Sequence, residues 1–323
     1  MPVRALEFYS GIGGLHLAFS RSGVDGSVVQ AFDWDQTACQ VYTANHPSGI
    51  IQKVDIASLT APTLAAFQAD LWLLSPACQP YTVLNPNAKG ESDPRAKSFL
   101  HLIQVVLPEL AALGSQPARL LIENVAGFET STTRHLLLST LRSLGYTTVE
   151  LLLTPLQFGI PNSRLRYYLL AKQAPLKFAH VPVNQGIHDL MWRHIPGHSP
   201  WIDRRSQQLP SESVRVGATV SEQPGRHVGL YLDEPSDEGT LHLTAIPDKV
   251  LEKWGKLFDI VLPSSGRTCC FTRGYTQLVE RAGSVLQMNE DLDTAKTFDA
   301  FLQAHIFATF DEDSRSGEQS TVW

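Results

Sequence analysis

The chain has 323 residues, of which 43% are hydrophobic and 18% charged, with a formal charge of −6. This is the composition of an ordinary globular protein, long enough for two domains or for one domain with an inserted lobe. No apolar run approaches the roughly 18 residues of a spanning helix, and Met1 to Phe8 lacks the apolar segment of a signal peptide, so an intracellular location, cytoplasmic or nuclear, is expected.

The first half alternates short apolar runs with helical spacing, the pattern of a parallel sheet with crossover helices. Ala5 to Tyr9 reads as a first strand, with Leu15 to Ser22 as the helix after a glycine turn. Val28 to Phe32 is a second strand, and Gln36 to Asn45 a helix ended by His46-Pro47. Leu71 to Leu74, Leu120 to Ile122, Thr148 to Leu153 and Arg166 to Ala171 are further strands, while Ser98 to Leu113 and Thr132 to Leu144 have helical periodicity. The expected fold is α/β, a doubly wound and mostly parallel sheet spanning residues 1–174.

After about Gln173 the rhythm is lost among Pro175, Pro182, Pro196, Pro200, Pro210, Pro224 and Pro235. A smaller loop-rich lobe is expected over residues 175–303, followed by a polar, disordered tail over 304–323. Met288 to Trp323 holds eight acids and two bases, which accounts for the whole net charge. The rest is balanced, so net charge by itself does not announce a polyanion partner. Cys39, Cys78, Cys269 and Cys270 lack C-x-x-C spacing, which indicates neither a metal site nor a disulfide framework.

Four segments have the residue types for chemistry. Phe8-Tyr9-Ser10-Gly11-Ile12-Gly13-Gly14-Leu15 leaves a strand and enters a helix, so its N–H groups can face an anion. It is not G-x-G-x-x-G, because His16 stands where the third glycine would be. Asp33, at the end of the second strand, is placed to bond ribose hydroxyls, and Trp34 and Tyr9 can cover the faces of an adenine. The plainer alternative is a tight turn with a core aromatic.

Ser75-Pro76-Ala77-Cys78-Gln79-Pro80-Tyr81-Thr82 follows a strand and puts a thiol at the carboxyl edge of the sheet, where open α/β folds bind ligands. The polar loop Asn85 to Pro94 could close over a substrate; an inert buried cysteine is the alternative. In Ile122-Glu123-Asn124-Val125, a carboxyl flanked by apolar residues is expected to hold a proton and act as an acid, or else to cap a helix. Strand alternation would put Arg164 and Arg166 on one side of the strand they open, unless both are surface arginines.

In this order, the four segments resemble the cytosine C5 methyltransferases. Cys270-Phe271-Thr272-Arg273-Gly274-Tyr275 and Gly283-Ser284-Val285-Leu286-Gln287 resemble the tRNA-aspartate branch, a group first classed with the DNA methyltransferases. The likeness covers roughly residues 3 to 287. It implies a Rossmann-like fold, S-adenosyl-L-methionine as cofactor, and methylation of an anticodon-loop cytosine in tRNA. In that likeness Tyr9, Ser10, Gly11, Ile12, Gly13, Gly14, Asp33, Trp34, Asp55 and Ile56 hold the cofactor, Asp55 meeting the adenine amino group. Cys78 attacks carbon 6 of the base, Glu123 protonates toward ring N3, and Arg164 and Arg166 position the base and its phosphate. Gln79, Tyr81, Thr82, Asn124, Cys270, Phe271 and Thr272 contact the substrate.

Two departures stand out. Ala77 occupies the place of the proline in the family's Pro-Cys-Gln and frees the backbone there. After Gln287 there is no segment like R-x-x-T-x-R-E followed by a G-N-S turn and helix, so a shortened chain with weak cofactor binding and slow turnover is expected. Other readings are a DNA cytosine-5 methyltransferase and a non-catalytic RNA-binding member. A nucleotide-dependent oxidoreductase fits the alternating fold but neither His16 nor the Cys78 loop.

Overall fold

The structure is a computed structural model that describes residues 1–81, 92–181, 190–200, 226–233, 245–271 and 283–304. Thr82, Thr272, most of the loop from Asn85 to Pro94 and all but the first residue of the expected tail lie outside the described residues. The chain divides into two compact units, Met1–Leu153 with Leu165–Val220, and Thr154–Arg164 with Ser221–Trp323.

The first unit is built on an eight-stranded sheet. Its strands are β1 (Val3–Phe8), β2 (Gly26–Asp33), β3 (Ile51–Lys53), β4 (Leu71–Leu74), β5 (Arg119–Val125), β6 (Tyr146–Leu153), β7 (Arg166–Gln173) and β8 (Met191–Trp192). They run in the order β3-β2-β1-β4-β5-β7-β6-β8. All pairs are parallel except those of β7, which is antiparallel to both β5 and β6. The expected doubly wound α/β sheet is therefore present. The order reverses between β1 and β4, the kind of switch point where such sheets open a crevice at the strands' carboxyl ends.

Between the strands lie α1 (Gly14–Arg21), α2 (Gln36–Asn45), α3 (Ala61–Ala65), α4 (Lys97–His101), α5 (Leu107–Ala112) and α6 (Thr132–Ser143). Asp35 caps α2, accepting from the Ala38 N–H at 2.8 Å. His46 leaves α2 with φ −129° and ψ 165°, as a residue before proline must. The helix expected over Ser98 to Leu113 is broken by a π turn at Leu102–Val106. Pro108 has no N–H for the carbonyl four residues back, and the ladder widens just before it. Fully buried Phe8, Phe32 and Trp72 anchor the core, Phe8 lying 5.3 Å from Phe32 and 4.9 Å from Trp72 between ring centroids. Among the described residues no helix is long and apolar enough to cross a membrane.

The second unit, expected to be mostly loops, contains α7 (Asp248–Trp254), a helical segment over 294–304, and a parallel pair of β9 (Asp259–Val261) and β10 (Ser284–Leu286). A bridge between Ser163 and Cys269 sets two motifs of distant sequence side by side. Thr268 staples them, its hydroxyl donating to the Pro161 carbonyl at 2.9 Å and accepting from Asn162 Nδ2 at 3.0 Å.

Candidate active site

Four of the predicted segments converge on the carboxyl edge of the sheet. The glycine loop leaves β1, Asp33 closes β2, the cysteine loop leaves β4, and Glu123 lies near the end of β5. Because β7 runs antiparallel, its first residue comes to the same edge, and Arg166 stands opposite Val125.

The glycine loop is held in an irregular path, with Tyr9 at φ 57°, Gly11 at φ 54° and Gly13 at φ 90°. Asp33, 7% exposed, braces it: Oδ2 accepts the Gly11 N–H at 2.8 Å and Oδ1 the Asp35 N–H at 2.9 Å. The expected ribose ligand is thus first a support for the loop. Tyr9 is also tied down. Its hydroxyl donates to Ser98 Oγ at 3.0 Å, and burial pushes its ionisation well above the ordinary phenol range. The Ser10 hydroxyl is buried without a hydrogen-bond partner among the described residues, the kind of orphan that a ligand or water must satisfy. Among the described residues, nothing beyond the adjoining backbone would stand within 4 Å of a side-chain carbon at Gly11 or Gly14. Ile12 and Trp34 are 59% and 71% exposed. Asp55 Oδ1 caps the short turn Ile56–Ser58 through the Ala57 N–H at 2.9 Å, and Ile56 points into the core.

Cys78 is half-buried. Two bonds fix the chain ahead of it: Ser75 Oγ donates to the Tyr9 carbonyl at 3.0 Å, and Asn124 Nδ2 to the Pro76 carbonyl at 3.1 Å. They supply order that a proline at Ala77 would otherwise give, and they lock the cysteine loop to β5 and to the glycine loop. The Cys78 carbonyl then accepts the Tyr81 N–H at 3.0 Å and turns the chain. Asp93, buried, grips Arg95 through Nε at 2.9 Å and Nη2 at 2.7 Å, and this grip raises the guanidinium's pKa further, aided by a charge interaction with Cys78. An Asp-Pro-Arg sequence held the only signal for that pair, and sequence reasoning passed over it.

Two expected substrate contacts are tied into the fold. Asn124 is 1% exposed with both ends of its amide in use, since Oδ1 accepts the Val125 N–H at 2.8 Å. Tyr81 packs edge-on against Phe128, 4.8 Å between centroids. Gln79 alone of the three is exposed. For Glu123, the expectation of an apolar cradle is corrected. Ile122 and Asn124 lie on the opposite, fully buried face of β5, while Glu123 pairs with Arg166 Nε at 3.2 Å. The alternation argument for the two arginines is corrected as well, because β7 begins at Arg166 and Arg164 precedes it. Arg164 instead packs in the second unit, donating from Nη1 to the Cys270 sulfur, with the Phe271 ring 52% exposed beyond.

The family model of the C-5 cytosine-specific DNA methylases matches residues 3–224. The chain belongs to that family. It is 37% identical to a tRNA (cytosine(38)-C(5))-methyltransferase of Schizosaccharomyces pombe, over 92% of this chain and 79% of that protein. A human protein of the same name is 33% identical, over 92% of this chain and 81% of its own length. The crystal structure of the S. pombe Dnmt2 methyltransferase superposes with a TM-score of 0.71 at 36% identity, covering 93% of this chain and 80% of that one. Membership in this methylase family fits a thiol, a carboxylate–guanidinium pair and an open glycine loop on one sheet edge.

Proposed function

We propose that this chain transfers a methyl group from S-adenosyl-L-methionine to carbon 5 of a cytosine in tRNA, through a covalent adduct with Cys78. The observation that carries this reading is the meeting of Cys78, the Glu123–Arg166 pair and the glycine loop at one carboxyl edge. The S. pombe and human relatives are named for methylation at cytosine 38 of tRNA.

The loop's residues suit the cofactor. Ser10 offers an orphaned hydroxyl, Gly11 and Gly14 leave room for close approach, and exposed Trp34 and Ile12 offer apolar cover to an adenine. Asp55, with Oδ1 already on the Ala57 N–H, would use Oδ2 for the adenine amino group. When bound, S-adenosyl-L-methionine supplies a methyl group on a sulfonium, ready for transfer to a carbon nucleophile.

The chemistry at the base belongs to the protein. The Cys78 thiolate adds to carbon 6, and electron density builds on carbon 5 and ring N3. Glu123, ionised in its pair with Arg166, takes a proton from solvent as the base enters, hydrogen-bonds toward N3 and passes it that proton, while Arg166 fixes the carboxyl's direction. After methylation, a solvent water takes the proton from carbon 5, N3 returns its proton to Glu123, the ring double bond re-forms and Cys78 leaves as the thiolate. Residues 1–174 carry cofactor and chemistry in this reading and 175–303 target recognition, with Arg164, Cys270, Phe271 and Thr272 assigned to the RNA. An unpaired loop base needs only to unstack to reach the thiol.

The test is a 5-fluorocytosine substrate, whose fluorine blocks the final proton loss. Wild-type protein with cofactor is expected to be trapped covalently on tRNA, and Cys78→Ala to stay free. Trapping through another cysteine sinks the assignment, and trapping on DNA but not tRNA replaces the substrate.

A further inference from the structure

Beneath the glycine loop lies a polar group that methyl transfer does not use. Glu7 is the penultimate residue of β1, in register with Ala31 of β2 and Leu73 of β4, and is 1% exposed. Its Oε1 accepts the His16 N–H at the start of α1, and its Oε2 accepts the Tyr42 hydroxyl of α2, each at 3.1 Å. The Tyr42 oxygen is also 2.7 Å from His16 Nδ1. His46, just past α2, stacks on the His16 ring at 4.1 Å and 14°. That same ring supports the loop: a Cβ on Gly13 would lie 2.0 Å from His46 Nε2. Asp33 of β2 is the other charged group acting on Glu7, and β4 presents only Leu73.

One hydroxyl proton here serves two acceptors, so the group has two self-consistent states. With Glu7 ionised, Tyr42 donates to the carboxylate, and His16 must hold its proton on Nδ1 to donate to the Tyr42 oxygen. With Glu7 protonated, the carboxyl donates to Tyr42, Tyr42 turns its proton to His16 Nδ1, and His16 holds its own on Nε2. A proton arriving at His16 Nε2 converts the first state to the second by two hops, His16 to Tyr42 and Tyr42 to Glu7. The net change is one proton taken from solvent. Burial and His46 disfavour a charged His16 ring, so the positive charge does not stay there. Burial likewise pushes the Glu7 carboxyl up to about 7, despite its bonds to His16 and Tyr42, which puts the exchange near neutrality.

We propose that Glu7, Tyr42 and His16 form a proton-responsive brace under the glycine loop, and that proton uptake loosens the start of α1 and weakens cofactor binding. The proposal rests on the reading of that loop as the cofactor site. Ionised Glu7 gives the His16 N–H a charge-assisted bond at a helix N-terminus, where negative charge is favourable. Neutral Glu7 gives a weaker bond and no charge.

Calorimetric titration with S-adenosylhomocysteine tests it. Affinity is expected to strengthen roughly three- to tenfold between about pH 6 and about pH 8, the range open to a single linked proton. Glu7→Gln reproduces the neutral network, with its amide donating to Tyr42, and is expected to bind at the weaker level with no pH dependence. Tyr42→Phe removes one donor to the carboxylate, so the midpoint is expected to move to higher pH. Flat wild-type affinity, or an unmoved midpoint in Tyr42→Phe, overturns the proposal. Absence of binding at every pH would instead overturn the cofactor reading. The brace is then still tested by nitrogen-15 NMR of His16, whose proton is expected on Nδ1 at high pH and on Nε2 at low pH. A single tautomer throughout overturns it.

Discussion

Replacing Asp33 separates loop support from ligand contact. Its carboxylate holds two backbone N–H groups, Gly11 at 2.8 Å and Asp35 at 2.9 Å, and is 7% exposed. A hydrogen bond to a charged acceptor contributes about 1.5–3 kcal/mol. In Asp33→Ala the Gly11 N–H, inside the loop, loses its partner outright, while the Asp35 N–H at the start of α2 is placed to regain water. The expected cost is one such bond and part of a second, roughly 2–4 kcal/mol. For a unit of this size that lowers the melting temperature by roughly 4–16 °C. The freed loop is expected to lose cofactor affinity by about tenfold or more, since every 1.4 kcal/mol of binding is a factor of ten. Asp33→Asn keeps one acceptor and should fall between. Thermal melts without ligand, paired with S-adenosylhomocysteine titration, measure the two effects separately. Lost affinity with an unchanged melting point would mean that Asp33 acts on the ligand alone and that the loop needs no brace.

The other expectations are briefer. Cys78→Ala should abolish methyl transfer while leaving S-adenosylhomocysteine affinity within a few fold of wild type, read by tritium transfer and calorimetry. Gly13→Ala, at φ 90° and with its new carbon 2.0 Å from His46, should cost about 1–3 kcal/mol and weaken cofactor binding, visible in the same melts and titrations. Glu150 accepts Arg134 Nε at 2.6 Å, Arg134 Nη2 at 2.8 Å and the Tyr167 hydroxyl at 2.6 Å; Glu150→Ala strands a buried guanidinium and should destabilise the fold by about 3–5 kcal/mol in denaturant titration. Glu7 also links folding to pH. Its carboxyl rises from 4.5 to about 7 on folding, so the folded chain binds more protons in that window and stability falls as pH rises through it. The full loss is about 3 kcal/mol by about pH 8. His16, whose protonation is disfavoured by folding, has the opposite slope below its ordinary value. The difference between wild type and Glu7→Gln therefore isolates the Glu7 contribution, and identical pH profiles would contradict it.

The sequence by itself located most of the elements of the main sheet and the motifs that mark the family. Period-two and period-3.6 patterns locate β1, β2, β4, β5, β6 and β7 and most of their helices, because a sheet covered on both faces must show apolar runs. The motif segments name the glycine loop, Cys78, Glu123 and Arg166 through their resemblance to the cytosine C5 methyltransferases. Strands of two or three residues, β3 and β8, hold too little pattern to be seen. Tertiary structure alone decided direction and partnership. Only the antiparallel insertion of β7 brings Arg166 onto Glu123, and only packing makes Asp33 and Asn124 braces of the neighbouring loops. A lone acid in an apolar strand was the visible trace of Glu7. Its meaning came from Tyr42, His16 and His46, whose rings meet it across a fold that no local spacing encodes. Hydrogen-bond partners far apart in the chain are set by the geometry of burial, where every polar group must find one or bear the full cost of desolvation.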